Sequence, residues 1–355
     1  MKTVILGLAI TSSWGNGHAT TYRALVKALA ARGHDVLFLE RDMPWYADNR
    51  DLRLGRYGRI ELYRNLHDLR SRFRLEICEA DLVIVGSFVP DGIRVGKWVI
   101  EIARGIPAFY DIDTPVTLSK LKRGNGEYIS RDLIPRYRLY LSFTGGPLLR
   151  YIERTLGSPM ARPLYCSVDP ELYFPCDCEP KWDLGYMGTY SNDRQPMLNS
   201  LMLEPARQWT KGRMIVAGPQ YPNQLKWPDN VIHFEHLSPM RHRTFYNSQR
   251  FTLNITRRPM VRAGHSPSVR LFEAAACATP IISDWWCGLE SFLMPGEEVL
   301  IARSAGDTLR YLRAIPESER RAIGLRAQQR VLAGHTADHR ARELEQYVKE
   351  ASGEA

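Results

Sequence analysis

A polar segment between residues 253 and 302 carries residues suited to binding an anion. Asn254 stands at the end of an apolar, strand-like run, and the adjacent cations Arg257 and Arg258 follow it. Guanidinium groups neutralise phosphate charge and donate paired hydrogen bonds to phosphate oxygens. We therefore expect Asn254, Arg257 and Arg258 to contact a phosphorylated ligand.

A Gly-His-Ser-Pro loop containing His265 and Ser266 follows, and it opens a short helix predicted from Ser268 to Cys277. The N–H groups at a helix start point outward and favour a bound anion. Arg270 and Glu273 share one face of this helix, so we interpret Arg270 as a phosphate ligand and Glu273 as an acceptor for ribose hydroxyls. The alternative is an ion pair between these two side chains at the helix start.

A glycine turn, Gly188-Thr189-Tyr190, follows the predicted strand Trp182–Met187 and precedes a helical segment. A glycine lets the backbone approach a diphosphate closely. We include Gly188, Thr189 and Tyr190 in the same predicted anion site.

The stretch E-A-A-A-C-A-T-P-I-I, which begins at Glu273, resembles the donor-nucleotide motif of GT-B glycosyltransferases. In that motif a first Glu precedes the second by eight residues, and His265 occupies its position here. Asn254 and the following R-x-x-M-x-x-x-G-x-S-x-x-x-R-x-F-E-A-x-A pattern are most similar to CgeB-like (spore maturation protein type) glycosyltransferases. The stretches V-D-P-E-L-Y-F-P and D-I-D-T-P-V-T-L resemble the same proteins.

This resemblance implies two facing Rossmann-like domains, the GT-B architecture, with the active site in the inter-domain cleft. It implies a metal-independent transfer of a sugar from a nucleotide diphosphate, with uridine diphosphate the commonest choice, to a hydroxyl acceptor. No cofactor and no metal are expected. His265 removes one marker of the retaining class, so the stereochemical outcome stays open.

The predicted acceptor-side loop consists of Trp14, Gly15, Asn16 and Gly17, between the first strand pattern and a helix. Its G-x-G lacks the third glycine of a dinucleotide-binding fingerprint, which disfavours a bound dinucleotide. His18 begins the helix, and an imidazole titrates near neutral pH, so His18 is a candidate general base. A packing or capping role is the alternative.

Asp111 and Asp113 end the predicted strand Ile106–Asp111. Side chains at alternate strand positions point to opposite faces, so we expect one of the two to serve the site and choose Asp113. Asp113 is predicted to be the acceptor base or to orient His18. Its alternative is a helix N-cap before Pro115. We reject the D-x-D metal motif of the GT-A fold because the chain shows two similar α/β halves.

Strand-turn-helix patterns repeat along both halves of the chain, which is typical of doubly wound parallel sheets. We predict an acceptor-side domain over residues 1–165 and a linker over 166–180. The donor domain is predicted over 181–335, and a C-terminal helix over 336–355 packs back on the first domain. The Arg-rich stretch Arg50–Arg74 is predicted to be a solvated helix, with binding of an anionic acceptor as the alternative.

The 355-residue chain has a formal net charge of +9, which suits an anionic ligand such as a nucleotide sugar, a nucleic acid or a lipid head group. Its six cysteines lack disulfide or zinc spacing and predict reduced thiols. The apolar start is interpreted as a strand rather than a signal peptide, and no run is long enough for a membrane span, so we predict a cytoplasmic protein.

The sequence thus predicts a glycosyltransferase with a nucleotide-sugar donor. Two alternatives are a transferase that acts on modified bases in DNA and a non-catalytic nucleotide-sugar-binding protein. The sugar, the acceptor (glycan, small molecule, lipid-linked molecule or nucleic acid) and the oligomeric state do not follow from the sequence.

Overall fold

The structure is a computed structural model that describes residues 1–14, 17–52 and 58–353. The chain divides into two compact units, one formed by Met1–Cys166 and Ala337–Ala355 and the other by Ser167–Thr336. Residues 167–180, which make up most of the predicted linker 166–180, group with the second unit.

The first unit contains a parallel sheet in the order β3-β2-β1-β4-β5-β6-β7. Its strands are β1 (Lys2–Gly7), β2 (Asp35–Arg41), β3 (Arg59–Tyr63), β4 (Leu82–Gly86), β5 (Ile106–Asp111), β6 (Leu139–Ser142) and β7 (Ala161–Pro163). Its helices up to this point are α1 (His18–Ala31), α2 (Pro44–Ala47), α3 (Leu66–Glu79), α4 (Gly92–Ile102), α5 (Thr114–Lys122) and α6 (Pro147–Leu156), with a 3₁₀ turn at Ile134–Arg136.

The central strands of this sheet are buried on both faces, which explains their continuous apolar sequences. In β1, Val4 and Leu6 belong to one core cluster, whereas Ile5 belongs to a second cluster that includes Leu25 of α1. Parallel pairing of β1 with both β2 and β4 places the loops after these strands at one edge of the sheet.

The second unit repeats this plan with a parallel sheet in the order β10-β9-β8-β11-β12-β13. Its strands are β8 (Trp182–Met187), β9 (Met214–Ala217), β10 (Val231–Phe234), β11 (Gln249–Asn254), β12 (Ile281–Ser283) and β13 (Leu300–Ile301). Its helices are α7 (Gln195–Leu198), α8 (Glu204–Gln208), α9 (Pro239–Asn247), α10 (Arg258–Ala263), α11 (Val269–Ala276), α12 (Ala305–Ala314) and α13 (Glu317–Gly334); a π-helical turn (Asn199–Leu203) joins α7 to α8, and Leu289–Ser291 is a 3₁₀ turn.

The last helix, α14 (Ala337–Ser352), returns to the first unit and packs against α1. Its Ala341 and Leu344 are fully buried in the cluster that contains Leu25. The Glu345 carboxylate accepts from both Arg32 and His34, at 2.7 and 2.6 Å. The Arg32 hydrogen bond lowers the pKa of Glu345 to about 2, so this carboxylate stays ionised.

One secondary-structure prediction was wrong. The stretch Arg50–Arg74, predicted to be a helix, contains the edge strand β3 and only the first part of α3, and residues 53–57 lie outside the described part. β3 pairs in parallel with β2, from Leu37 opposite Arg59 to Arg41 opposite Tyr63. At a sheet edge, charged side chains tolerate solvent, so backbone pairing prevails over the helical pattern.

Candidate active site

The second-unit site is centred on Asn254, the last residue of β11. Its side chain is fully buried, and its Oδ1 accepts from Ser268 Oγ at 2.8 Å and from Arg270 Nη1 at 2.9 Å. Its Nδ2 donates to Ser283 Oγ, at the end of β12, at 2.9 Å. One amide therefore joins two strand ends to the start of α11, for which Ser268 is the N-cap residue.

Arg270 lies between this amide and the end of β8. Its Nε donates to the Met187 carbonyl, and its guanidinium carbon lies 5.3 Å from the centre of the Tyr186 ring. A Cβ at Gly188 would lie 3.2 Å from Arg270 Nη2 and 2.6 Å from the Tyr186 hydroxyl. The absence of a side chain at Gly188 thus lets the guanidinium approach the turn after β8.

The Gly188-Thr189-Tyr190 turn is packed against the end of β9. A Cβ at Gly218, whose φ is +156°, would lie 2.0 Å from the Gly188 carbonyl oxygen. The Thr189 carbonyl accepts from Arg194 Nη2 at 2.6 Å, and the Tyr190 N–H donates to the Pro219 carbonyl at 2.9 Å. The structure therefore holds the predicted glycine turn in one defined conformation beside Arg270.

The two other predicted cations differ in their surroundings. Arg257 precedes α10, and its Nε lies 3.6 Å from the carboxylate of Asp193, which follows the Gly188 turn. Arg258, the first residue of α10, is exposed, and no ion pair engages it within the described ranges. The structure thus places Arg270 at the Gly188 turn and Arg257 beside Asp193, three residues after that turn, and it leaves Arg258 at the surface.

His265 occupies a strained position beside a second glycine turn. Its φ is +45°, which is unusual for a residue with a side chain, and its N–H donates to the Cys287 carbonyl at 2.6 Å. A Cβ at Gly288 would lie 2.2 Å from His265 Nδ1. Ser266, next to it, is buried. The Gly-His-Ser-Pro loop and the Gly288 turn are therefore packed together, and no sequence pattern indicated this contact.

Glu273 is more deeply buried than the sequence suggested, with 4% of its side chain exposed. Its Oε2 accepts from the Tyr246 hydroxyl at 2.9 Å and lies 4.0 Å from His242 Nδ1. Burial and this carboxylate raise the pKa of Tyr246 well above its usual value. The alternative ion pair with Arg270 is not formed in the described structure. A carboxylate can accept several hydrogen bonds, so the ribose role stays a prediction.

Sequence reasoning missed Asp284, which directly follows β12. Its carboxylate accepts from the Thr256 N–H at 3.1 Å and from Thr256 Oγ1 at 2.9 Å. Burial raises the pKa of Asp284 to about 6, despite these hydrogen bonds and the charge of Arg270. Its position at the carboxyl end of a parallel strand was the signal that could have identified it.

In the first unit, buried charges fix the segment that leads into the predicted acceptor loop. Glu40, at the end of β2, accepts from the N–H groups of Ile10 and Thr11 at 2.6 and 2.9 Å. Arg23 of α1 donates to the Ile10 carbonyl at 2.8 Å and forms an ion pair with Asp51 at 2.6 Å. The chain between β1 and α1 is thus anchored from two neighbouring elements.

Among the loop residues themselves, Gly15 and Asn16 lie outside the described residues. Trp14 is half-buried, and its N–H donates to Ser12 Oγ at 3.2 Å. Gly17 precedes α1, and His18 is its first residue, as predicted. The His18 ring centre lies 5.5 Å from that of Phe88, which follows β4 with a φ of +66°.

The two aspartates after β5 have different surroundings. Asp111 is fully buried and accepts from Tyr140 and Thr117 hydroxyls at 2.6 and 2.8 Å, and burial raises its pKa to about 6. Asp113 is half-buried at the N-cap position of α5, where its side chain makes no capping hydrogen bond, and its N–H donates to Asp111 at 3.2 Å. Asp111 therefore supports the turn that presents Asp113.

Comparisons with known proteins concern the fold of the chain and the family of its second half. Residues 194–346 match a family model described as Glycosyl transferase-like. The whole chain resembles sucrose-phosphate synthase from Thermosynechococcus elongatus, with a TM-score of 0.70 and 14% identity over 99% of both chains. The chain therefore has the GT-B fold, and its residues 194–346 form a glycosyltransferase-like domain.

Two further solved structures resemble this chain. Anabaena HepE, solved with UDP and glucose, has a TM-score of 0.72 and 11% identity over 98% of this chain and 99% of its own. An alpha-glucosyltransferase, solved with UDP-glucose and DNA containing an abasic site, has a TM-score of 0.70 and 10% identity over the same shares. These identities establish the fold alone. No curated protein sequence matches the chain.

No group of three or more His, Cys, Asp or Glu side chains is arranged to hold a metal ion in residues 1–14, 17–52 and 58–353. None of the helices in those ranges combines the length and the apolar character needed to cross a membrane.

The raised pKa of Asp284 predicts a pH-dependent stability. Its value of about 6, against 3.8 for an ordinary Asp, means that the folded enzyme binds more protons than the unfolded chain. The stabilising effect of the protonated form is therefore present at low pH and is lost as pH rises through this interval. The substituted amide would not titrate, so the free energy of unfolding of Asp284→Asn should rise relative to that of the natural chain as pH increases. Between about pH 4 and 7 this relative gain should reach up to about 3 kcal/mol.

Urea unfolding of both proteins across this pH interval measures the difference. Asp229→Asn, at an exposed position of the same unit, is the matched control and should show a constant difference. A constant difference for Asp284→Asn as well would contradict the assignment.

Proposed function

We propose that this glycosyltransferase transfers a sugar from a uridine diphosphate donor to a hydroxyl acceptor without a metal ion. The observation that carries the proposal is the position of Arg270 beside Gly188, with its charge held at the ends of β8 and β11. A fixed cation there stabilises the negative charge that develops on a leaving nucleotide diphosphate. HepE and the alpha-glucosyltransferase, which share this fold, were solved with UDP, and this supports the choice of nucleotide.

The proposed donor contacts follow from the same site. Arg270 binds the diphosphate together with Arg257 and Arg258, and the Gly188–Tyr190 turn and the loop with His265 and Ser266 offer backbone N–H groups. Glu273 accepts from the ribose hydroxyls through the oxygen that does not bind Tyr246. The pattern from Asn254 to Ala276 further supports a place among the CgeB-like glycosyltransferases.

We propose Asp113 as the general base that removes the proton of the acceptor hydroxyl, with His18 as the second candidate. Asp113 is half-buried at the end of β5, and its turn is supported by the buried Asp111. A base must reach the substrate while keeping a defined position, and Asp113 meets both requirements. The fully buried Asp111 meets only the second.

The proposed contact of Arg270 with the diphosphate predicts a change in affinity for the donor nucleotide. Arg270→Lys keeps the charge but loses the planar pair of donors, so UDP binding should weaken by roughly 10- to 100-fold, as expected for lost charged hydrogen bonds. Calorimetric titration with UDP and with uridine tests this. Only the UDP affinity should fall, because uridine has no phosphate.

Arg310→Lys, at an exposed arginine paired with Asp307, is the matched control for this titration. An equal loss for UDP and uridine would indicate a general disturbance of the site. Unchanged UDP affinity in Arg270→Lys would remove Arg270 from the donor site.

The proposed role of Asp113 as general base predicts a change in the rate of sugar transfer. Asp113→Asn should lower kcat by about 10²- to 10⁴-fold, the usual contribution of a general base, and leave UDP affinity unchanged. Release of UDP from the nucleotide sugar that the natural enzyme turns over fastest measures kcat. Asp132→Asn, at an exposed carboxylate of the same unit, is the control. A natural rate in Asp113→Asn, with a reduced rate in His18→Ala, would transfer the role to His18.

A second candidate acceptor is a modified base in DNA. The net charge of +9 favours an anionic partner, and the alpha-glucosyltransferase of the same fold was solved with DNA. This alternative predicts that duplex DNA is retarded by the protein in a native gel at low salt and that the affinity falls steeply as salt rises. Absence of a shift at low salt would exclude it.

A further inference from the structure

Cys176 and Cys178, in the segment before β8, form a close pair of thiols. Both residues are exposed, and their Sγ atoms are 2.9 Å apart. The Cys178 N–H donates to the Cys176 carbonyl at 3.0 Å, which closes a three-residue turn around Asp177. This turn brings the two side chains to the same side of the backbone.

Asn247, at the end of α9, holds this turn in place. Its Oδ1 accepts from the Cys176 N–H at 2.8 Å, and its carbonyl lies 3.5 Å from Cys178 Sγ. Its Nδ2 donates to the carbonyls of Phe174 and Arg243 at 3.1 and 2.8 Å. Because one side chain ties the cysteine segment to a helix, the short distance between the sulfurs is a fixed property of the local structure.

The local surroundings disfavour ionisation of the Cys178 thiol. Burial of its sulfur and the hydrogen bond with Cys176 raise the pKa of Cys178 to about 11. The attacking species in thiol–disulfide exchange is the thiolate, so Cys178 is disfavoured as the first nucleophile and is the thiol that reacts second.

We propose that Cys176 and Cys178 form a modification site, a dithiol that small-molecule disulfides oxidise to an intramolecular disulfide. The Cys176 thiolate attacks one sulfur of the reagent, forms a mixed disulfide and releases one small thiolate. Cys178 then loses its proton and attacks Cys176 Sγ, which forms the Cys176–Cys178 bond and releases the second small thiol. The protein loses two electrons and two protons, and the reagent disulfide is reduced to two thiols.

The second step distinguishes this pair from a single exposed cysteine. Cys178 is tethered two residues from Cys176, so it acts at an effective concentration of roughly millimolar or more. Cys287 is exposed without a neighbouring cysteine in its loop, and Cys166 and Cys277 are buried. A small disulfide should therefore leave an adduct on Cys287 and close a ring at Cys176 and Cys178. This chemistry is independent of the proposed donor.

The experiment treats the reduced full-length protein with micromolar oxidised glutathione, blocks remaining thiols by alkylation and maps the cysteine peptides by mass spectrometry. In the natural chain, the peptide with Cys176 and Cys178 should lose the mass of two hydrogen atoms, carry neither glutathione nor alkyl groups, and form faster than the Cys287 adduct. Dithiothreitol should restore both thiols.

Three variants complete the test. Cys178→Ser should keep glutathione on Cys176, and Cys176→Ser should react more slowly at Cys178. Cys287→Ser should close the ring as the natural chain does. A stable glutathione adduct at Cys176 in the natural chain, or two alkylated thiols there after Cys287 has reacted fully, would overturn the proposal. Circular dichroism of each variant confirms that the fold is kept.

Discussion

The buried amide of Asn254 is the interaction on which the second-unit site depends. It is fully buried and forms hydrogen bonds with four polar side chains, those of Thr256, Ser268, Arg270 and Ser283. A buried polar group without its partners is costly, so this network allows only a narrow range of positions for the start of α11. This network and the Met187 carbonyl hold the Arg270 guanidinium at the end of β8. Such preorganisation is what electrostatic stabilisation of a leaving diphosphate requires.

The first unit uses buried carboxylates for the same purpose. Glu40 fixes the chain after β1, and Asp111 fixes the turn after β5. In both units, the loops at the carboxyl ends of parallel strands are therefore held by polar side chains from neighbouring elements. Burial disfavours an ionised carboxylate, and the raised pKa of Asp111 and Asp284 shows this cost. Burial of these two aspartates lowers the stability of the fold at neutral pH, and their hydrogen bonds fix the positions of the adjacent loops.

Much of the fold could be predicted because its strands are continuous apolar runs with glycine and proline at their ends. The strands Trp182–Met187 and Ile106–Asp111 have the predicted bounds, and His18 begins the first helix. β3 escaped prediction because its pairing with β2 is a long-range interaction, whereas the arginine and leucine spacing around it is local. The periodicity of apolar residues within one segment does not indicate whether another strand pairs with it.

The sequence motifs indicated which residue types line the candidate site, but they did not indicate most of the contacts between them. The proximity of Arg270 to Gly188 was expected from the glycine and arginine motifs, but the hydrogen bond of Arg270 with the buried Asn254 amide was not. The burial of Glu273 against Tyr246 and the packing of His265 on Gly288 involve side chains from separate elements. Such contacts depend on tertiary packing, which a single sequence does not encode in any short motif.

The central claim is that Arg270 and the Gly188 turn bind the diphosphate of a nucleotide donor. A crystal structure of the enzyme with UDP tests it most directly. The phosphate oxygens should lie within hydrogen-bond distance of the Arg270 guanidinium and of the backbone N–H groups of the Gly188–Tyr190 turn. A bound UDP whose diphosphate contacts neither would contradict it.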